Sequence, residues 1–275
     1  MLSPEQITAI YCIVDDLLKA MGTKSDKRAL LSDAEIILVG LIASFQHGGV
    51  WTDSLHFLFQ YRYFSRRISK SRLSRRLQRL EPLTDEIFKA LSQNWLKEKA
   101  AKEFILDSTP LEVCDNIRIR RCKLLQGEDF RGYKASFRRY FYGLRLQLVT
   151  TSEGMPIAYT ITEGAASDNI GMHELEWDYP LSSKIYADAA YTDYVFEDEL
   201  EKTKGILLLA QRKANSKRMR SQAQENDIQR MRKRIETVFS LLKNMFKRKL
   251  QAGTIEGYMR KIKLFILAFQ IKFSI

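Results

Sequence analysis

Three acidic residues are placed where a folded chain could bring them together. Asp107 and Asp188 each follow a three-residue apolar run, which predicts a short strand ending at the acid. Glu236 lies in a long predicted helix, next to Ile235. Carboxylates that converge from two strands and a helix form an oxygen-rich site of the kind that Mg²⁺ prefers. Two such ions, about 3.5–4 Å apart, promote phosphoryl transfer by activating an attacking oxygen and stabilising a leaving one.

Each of these acids also has an ordinary structural explanation. An acid at a strand end can be solvated, and Glu236 can be a salt-bridging residue on a helix surface, so the spacing alone leaves both interpretations open. The same helix carries Arg232 and Lys243 roughly on the face of Glu236, where they could hold phosphates. Its apolar residues are spaced by three and four, so one stripe must face a sheet. The stripe consists of Ile228, Met231, Ile235, Val238, Leu242 and Met245.

The positive charge is concentrated in two blocks. The chain has 275 residues, with 45 Lys and Arg against 33 Asp and Glu, and a net charge of +12. Residues 61–80 hold eight basic residues and no acid, and residues 212–249 hold thirteen basic residues and three acids. The two blocks together carry +18, so the remaining residues have a net charge of −6. This asymmetry favours a polyanionic partner, with nucleic acid as the default candidate, over two solvated helix faces.

Residues 1–100 have the pattern of a helical region. Capping boxes at Ser3 and Ser32 predict two helix starts, and three more helices are expected at about 52–59, 69–80 and 84–99. The helix at 69–80 has leucines on one face and arginines around the other, which fits a helix-turn-helix type of DNA-binding unit. A plain helical bundle remains the alternative. The candidate DNA-binding residues of this helix are Arg72, Arg75, Arg76 and Arg79.

From residue 101 onwards the pattern changes to that of an α/β domain. Alternating apolar residues predict strands near 140–149 and 157–161, and a buried strand is expected at 205–210. Helical segments lie between and after these strands, and an apolar segment at 255–275 is expected to form a helix that packs on the core. We therefore predict a mixed sheet flanked by helices in residues 101–275, preceded by the all-helical region 1–100.

Composition excludes several classes of protein. About 45% of the residues are hydrophobic, which is typical of a globular chain, and no run of roughly 18 apolar residues predicts a membrane span. The three cysteines are too few for a disulfide framework and indicate a reducing compartment. We expect a cytoplasmic, nucleoid-associated protein with no membrane partner.

The residues around the three acids resemble the DDE transposases of bacterial insertion sequences, and most closely the family of insertion sequence nine-eight-two. The similar stretches cover nearly the whole chain, and their combination is specific. They are LSDAEIILVG (31–40), SRLSRRLQRL (71–80), ILDSTPLEVCDNIRIRRCK (105–123), GYKASFRRYFYGLRLQLVTTSEGMPI (132–157), SDN (167–169), IYADAAYTDY (185–194) and RKRIETVFSLLK (232–243).

The resemblance implies a fold, a reaction and a set of roles. Asp107, Asp188 and Glu236 match the three catalytic and metal-binding acids of a ribonuclease-H-like domain, and Arg232 and Lys243 match basic residues near the third acid. Two Mg²⁺ ions are implied as cofactors, with Mn²⁺ as a substitute. The implied reaction is cleavage at the ends of the element, which leaves a 3′-hydroxyl that attacks target DNA. The implied partners are the terminal inverted repeats, the target DNA and a second copy of the chain as a homodimer.

Two other readings of the sequence stay open. One is a nuclease of the same fold that cuts DNA without joining it. The other is a catalytically silent DNA-binding protein, such as a regulator, whose binding would weaken with salt but would not lead to cleavage.

Overall fold

The chain folds into two compact units. The computed structural model describes residues 1–24, 26, 28–134, 138–246 and 250–275. The first unit comprises Met1–Leu91 and Leu242–Ile275, and the second comprises Ser92–Leu241. The C-terminal segment thus belongs to the same unit as the N-terminal helices, whereas the expected division into 1–100 and 101–275 assigned it to the catalytic domain. That functional division remains a prediction.

The first unit is helical in the part of the chain that the structure describes. Both predicted capping boxes are present, since the Ser3 and Ser32 side chains each accept a backbone hydrogen bond from the third helical residue. The helices that lie wholly within it are α1 (Pro4–Ala20), α2 (Asp33–Gln46), α3 (Trp51–Gln60), α4 (Lys70–Arg79) and α9 (Ile255–Ile271). Two further helices, α5 (Glu81–Lys99) and α8 (Gln222–Met245), run across the boundary between the units.

Helix α2 is the centre of the first unit. Ten of its residues are buried, and it packs closely on α9, where a Cβ added to Gly40 would lie 2.9 Å from the Leu264 side chain. Helix α9 can pack here although it carries basic residues, because Arg260 and Lys263 both form ion pairs with Glu81 of α5. Among the described residues no single helix is long and apolar enough to cross a membrane; α2 and α3 pass that test only as a pair bent by 107°.

The second unit is built on a mixed sheet, which has six strands in the described residues. Its order is β2-β3-β1-β5-β6, and β4 also pairs with β3. β1 is antiparallel to β3 and parallel to β5, and β5 is parallel to β6. The strands are β1 (Glu103–Cys114), β2 (Arg131–Lys134), β3 (Arg139–Thr151), β4 (Pro156–Glu163), β5 (Lys184–Ala187) and β6 (Leu207–Ala210).

Three α-helices flank this sheet in the described residues of the unit. They are α6 (Asp168–Glu174), α7 (Tyr194–Lys204) and most of α8. The predicted apolar stripe of α8 is buried at Ile228, Ile235 and Leu242, each at most 1% exposed. An antiparallel β1-β3-β4 arrangement beside a parallel β1-β5-β6 arrangement, with helices after the parallel strands, confirms the predicted α/β class and agrees with a ribonuclease-H-like domain.

One predicted boundary was wrong. The first strand does not end at Asp107 but continues to Cys114, so Asp107 lies within β1. The reason is tertiary: β3 pairs with β1 along almost its whole length, whereas β5 pairs only with the first four residues of β1. Asp107 therefore marks the end of the parallel pairing rather than the end of the strand.

The connection from β6 to α8 is fastened to α7 by arginines. The Arg212 guanidinium forms a bidentate ion pair with Glu197, and these side chains are only 3% and 9% exposed. Arg220 donates to the Leu208 and Ala210 carbonyls at 3.2 and 3.0 Å. Nearby, Arg218 pairs with Asp198 at the surface. These contacts fix the chain just before the helix that carries Arg232 and Glu236.

We expect Arg212→Met to lower the free energy of unfolding by about 3 kcal/mol, because the buried Glu197 carboxylate would lose its bidentate partner and keep only the longer contact of 3.5 Å to Arg220. Asp198→Asn is the matched control, since it removes an exposed pair one residue away on α7, and the loss of stability should be much smaller because water screens that pair. Urea unfolding of both variants checks this. Equal losses would contradict the structural role of the buried pair.

Candidate active site

Two of the predicted acids lie next to each other where the pairing of two parallel strands ends. Leu106 of β1 and Ala187 of β5 are register partners in the parallel pairing, and Asp107 and Asp188 are the next residues of the two strands. Asp188 directly follows β5, as predicted, and its Oδ1 accepts a hydrogen bond from the Ala190 amide at 2.6 Å. The tight turn at Ala189–Tyr191 therefore holds the Asp188 carboxylate in place.

The surroundings of Asp107 disfavour its charge. The side chain is half-buried, and its Oδ1 accepts a hydrogen bond from the Ser108 amide at 2.7 Å. The pKa of Asp107 is raised to about 7, chiefly by burial, and the nearby carboxylates of Asp188 and Asp168 act in the same direction. The Ser108 hydrogen bond and the charge of Arg232 act in the opposite direction. An acid held in this way is suited to bind a cation, because a cation would remove the repulsion among the carboxylates.

The Arg232 side chain contacts two other side chains of the second unit. Its Nη2 lies 3.4 Å from Asp188 Oδ2, and its Nη1 donates to Gln211 Oε1 at 3.0 Å. The sequence predicted Arg232 as a DNA contact, and that role remains a prediction. The observed contacts give it a second one, which is to hold the second acid from the side of α8.

Glu236 lies one turn beyond Arg232 on α8 and is exposed. Residues four apart on a helix share a face, so Glu236 projects from the face that carries the Arg232–Asp188 contact. Lys243 is exposed nearer the end of α8, in the part of the helix that belongs to the first unit. Among the described residues no three acidic, His or Cys side chains are gathered as metal ligands. The convergence of all three acids therefore remains a prediction.

Sequence reasoning did not identify the contact between Arg145 and Asp168. The cap of α6 is Ser167, whereas Asp168 is the first helical residue and accepts a hydrogen bond from Arg145 Nη1 at 3.1 Å. The available signal was the alternation in β3, since Arg145 and Gln147 interrupt an otherwise apolar strand. A charged residue at such a position needs a partner, and that partner lies near Asp107.

The basic residues of α4 line a separate groove in the first unit. Its cavity has a volume of about 580 Å³ and lies between α4 and the segment that precedes α2. Arg76 donates to the Leu31 carbonyl and pairs with Asp33, so it is engaged inside the unit. The charged residues that line the groove are Lys24, Asp26, Arg28, Asp33, Arg72, Arg75, Arg76 and Arg79.

The mixed sheet and its flanking helices define a domain of the ribonuclease-H-like class. The family described as "Transposase DDE domain" matches residues 97–250, more than half of the chain, and the protein belongs to that family. The match covers Asp107, Asp188 and Glu236. No curated protein and no solved structure matched the chain in the corresponding comparisons.

Replacing Asp107 with Asn should stabilise the metal-free protein by roughly 1–2 kcal/mol at pH 8, because functional sites hold groups that are unfavourable for folding. The pKa of Asp107 is raised in the folded state to about 7, so the penalty grows as the pH rises from 4 and is complete above 7. The gain should therefore shrink at pH 5. Thermal unfolding in EDTA at pH 5 and pH 8 measures the gain in stability. An equal gain at both pH values, or a loss of stability at pH 8, would contradict the prediction.

Proposed function

We propose that this protein is the transposase of a bacterial insertion sequence of the nine-eight-two group. In this proposal it cleaves DNA at the ends of the element and joins the resulting 3′-hydroxyl to target DNA. The observation that carries the proposal is the pairing of Asp107 and Asp188 at the end of the β1–β5 ladder, inside a transposase DDE domain. The quoted motifs around both acids support the narrower group.

The donor set of the site fits a divalent cation. Asp107 and Asp188 offer carboxylate oxygens, and the raised pKa of Asp107 reflects its burial and, to a smaller extent, the neighbouring carboxylates, whose repulsion such an ion would relieve. We assign Asp107, Asp188 and Glu236 as the residues that would hold Mg²⁺, with Mn²⁺ as a substitute. When bound, two such ions would supply activation of the attacking oxygen and stabilisation of the leaving oxygen.

The other residues of the site position these acids and the phosphates. Arg232 holds Asp188 and lies beside Gln211, so it keeps the carboxylate turned towards α8. When DNA is bound, the same guanidinium could donate to a phosphate in bidentate fashion. Lys243, about 10 Å further along α8 than Glu236 at 1.5 Å per residue, extends the basic side of the helix.

The groove on α4 is proposed to contact the phosphate backbone of the terminal inverted repeats. Arg72, Arg75 and Arg79 are exposed and share the groove with Lys24 and Arg28. Because Arg76 already binds Asp33 and the Leu31 carbonyl, we assign it mainly to holding α4 against the rest of the unit. A homodimer is proposed because two ends must be paired, and a location at the nucleoid follows from the DNA partner.

Each of Asp107→Asn, Asp188→Asn and Glu236→Gln should abolish Mg²⁺-dependent cleavage of a terminal repeat while DNA binding is retained. The reason is that each change removes a charged oxygen donor but keeps the size of the side chain. Asp227→Asn is the matched control, since Asp227 is an exposed acid on the same helix whose carboxylate pairs with Arg230 at 3.0 Å. Gel analysis of cleaved ends measures the outcome.

Full cleavage by Asp188→Asn would refute the assignment of the acids. Supplying a pre-cut 3′-hydroxyl end tests joining separately from cutting. Joined product supports a transposase, whereas cutting without joining indicates the nuclease alternative. Binding without either reaction indicates a DNA-binding protein that lacks catalysis.

Single substitutions of Arg72, Arg75 or Arg79 by Ala should weaken DNA binding and reduce the slope of log K against log salt by about 0.9 for each lost phosphate contact. Arg66→Ala is the control, because Arg66 is an exposed arginine of the same basic block that does not line the groove. Fluorescence anisotropy at several salt concentrations measures this. An unchanged slope in all three groove variants would contradict the assignment.

A further inference from the structure

We propose that the Arg145–Asp168 ion pair is a positioning device for Asp107, which extends the catalytic centre beyond the three acids. The inference rests on the proposed function in one respect, namely that Asp107 is a catalytic acid. It concerns the SDN stretch at 167–169, for which the three-acid scheme has no role.

Asp168 is not needed as a helix cap. Ser167 already performs that task, because its Oγ accepts the Ile170 amide hydrogen bond. The carboxylate of Asp168 instead accepts a hydrogen bond from Arg145 Nη1 at 3.1 Å. The two side chains are 18% and 15% exposed, so the pair is largely withdrawn from water. The charges of the two side chains are therefore weakly screened by water, and each acts on neighbouring groups.

Arg145 connects this pair to the strand that carries Asp107. Its Nη1 also lies 3.4 Å from Ser108 Oγ, and its Nη2 donates to the Gly164 carbonyl at 3.4 Å. The Ser108 amide in turn donates to the Asp107 carboxylate at 2.7 Å. Polar contacts thus run from Asp168 through Arg145 and Ser108 to Asp107, and a shift of Asp168 would be felt at the catalytic acid.

The first turn of α6 is seated too closely on β3 to move independently. Gln147 is fully buried and donates from Nε2 to the Asp168 carbonyl at 2.9 Å. One turn later, a Cβ added to Gly171 would lie 2.1 Å from the same Nε2 atom. Only glycine permits this approach. The Asp168 carboxylate is therefore presented from a rigid support, which is what a positioning group requires.

Anchoring of α6 alone does not account for a charged pair at this place. A neutral hydrogen bond would hold the helix without the cost of desolvating two charges. In addition, Arg145 Nε is buried and has no hydrogen-bond partner among the described residues, which is a cost to stability. Asp168 also lies close enough to Asp107 for the two carboxylates to repel each other. The Arg145 guanidinium, 3.1 Å from the Asp168 carboxylate, offsets the charge of that carboxylate.

The test is Asp168→Asn in the full-length chain, with Ser167→Ala as the matched control. Cleavage of a terminal repeat in Mg²⁺ is followed at saturating DNA, together with the DNA concentration for half-maximal rate and the melting temperature. We expect Asp168→Asn to lower the saturated rate roughly 10–100-fold with an unchanged half-maximal concentration, as for other outer-shell partners. Ser167→Ala removes the side-chain cap of α6 and should lower the melting temperature while the rate persists.

A second measurement uses the pair as a unit. If Arg145 and Asp168 act together, Arg145→Gln combined with Asp168→Asn should slow cleavage no more than either change alone. Arg145→Lys keeps the positive charge but cannot contact Asp168 and Ser108 together, so it should also lower the saturated rate. It is the test variant if Asp168→Asn does not fold.

Three results would overturn the inference. They are an unchanged saturated rate in Asp168→Asn, a rate loss in Ser167→Ala equal to that in Asp168→Asn, and rate losses that multiply in the double variant. The Asp107→Asn variant is measured in the same assay. If it cleaves normally, the proposed function fails and the positioning role fails with it. If it is inactive while Asp168→Asn cleaves normally, only the positioning role is wrong.

Discussion

The arrangement of the second unit depends on the short parallel pairing between β1 and β5. This ladder ends at Leu106 and Ala187, and the next residue of each strand is an acid. Two carboxylates at adjacent positions repel each other, and burial makes the charge of Asp107 still less favourable. The sheet can hold them there because β1 is fixed on its other edge by β3 along almost its whole length. The stability of the sheet is thus used to keep together groups that would otherwise separate.

Several arginines of the second basic block form ion pairs inside the protein. Their charge is therefore not simply a surface for phosphates. The second basic block suggested a surface for phosphates, yet five of its arginines form ion pairs within the second unit. Arg212 and Arg220 fasten the segment before α8, and Arg232 reaches Asp188. Three further basic residues of the block, Lys247, Arg248 and Lys249, lie outside the described residues. Net charge therefore overstates the charge that this block offers to DNA.

The first unit uses its charges differently. Arg76 is engaged with Asp33 and the Leu31 carbonyl, while Arg72, Arg75 and Arg79 are exposed along the groove on α4. A ten-residue helix can do both because its buried leucines, Leu73 and Leu77, fix the opposite side. The open alternative of a plain helical bundle does not by itself explain a groove with this charge. Helix propensity and the amphipathic pattern are shared by both interpretations, so the distribution of charge is what favours DNA.

The sequence by itself determined most of the helices and strands and singled out the three acids that remain predicted site residues. Local signals sufficed for this, because caps, alternation and the α8 stripe act over a few residues and are confirmed at Ser3, Ser32 and Ile235. Tertiary structure alone decided that β1 continues past Asp107, that Arg145 pairs with Asp168, and that Arg232 reaches Asp188. Each of these joins residues 23 or more positions apart or depends on which strand edge is occupied. Such contacts are set by strand order and packing, which no local pattern encodes.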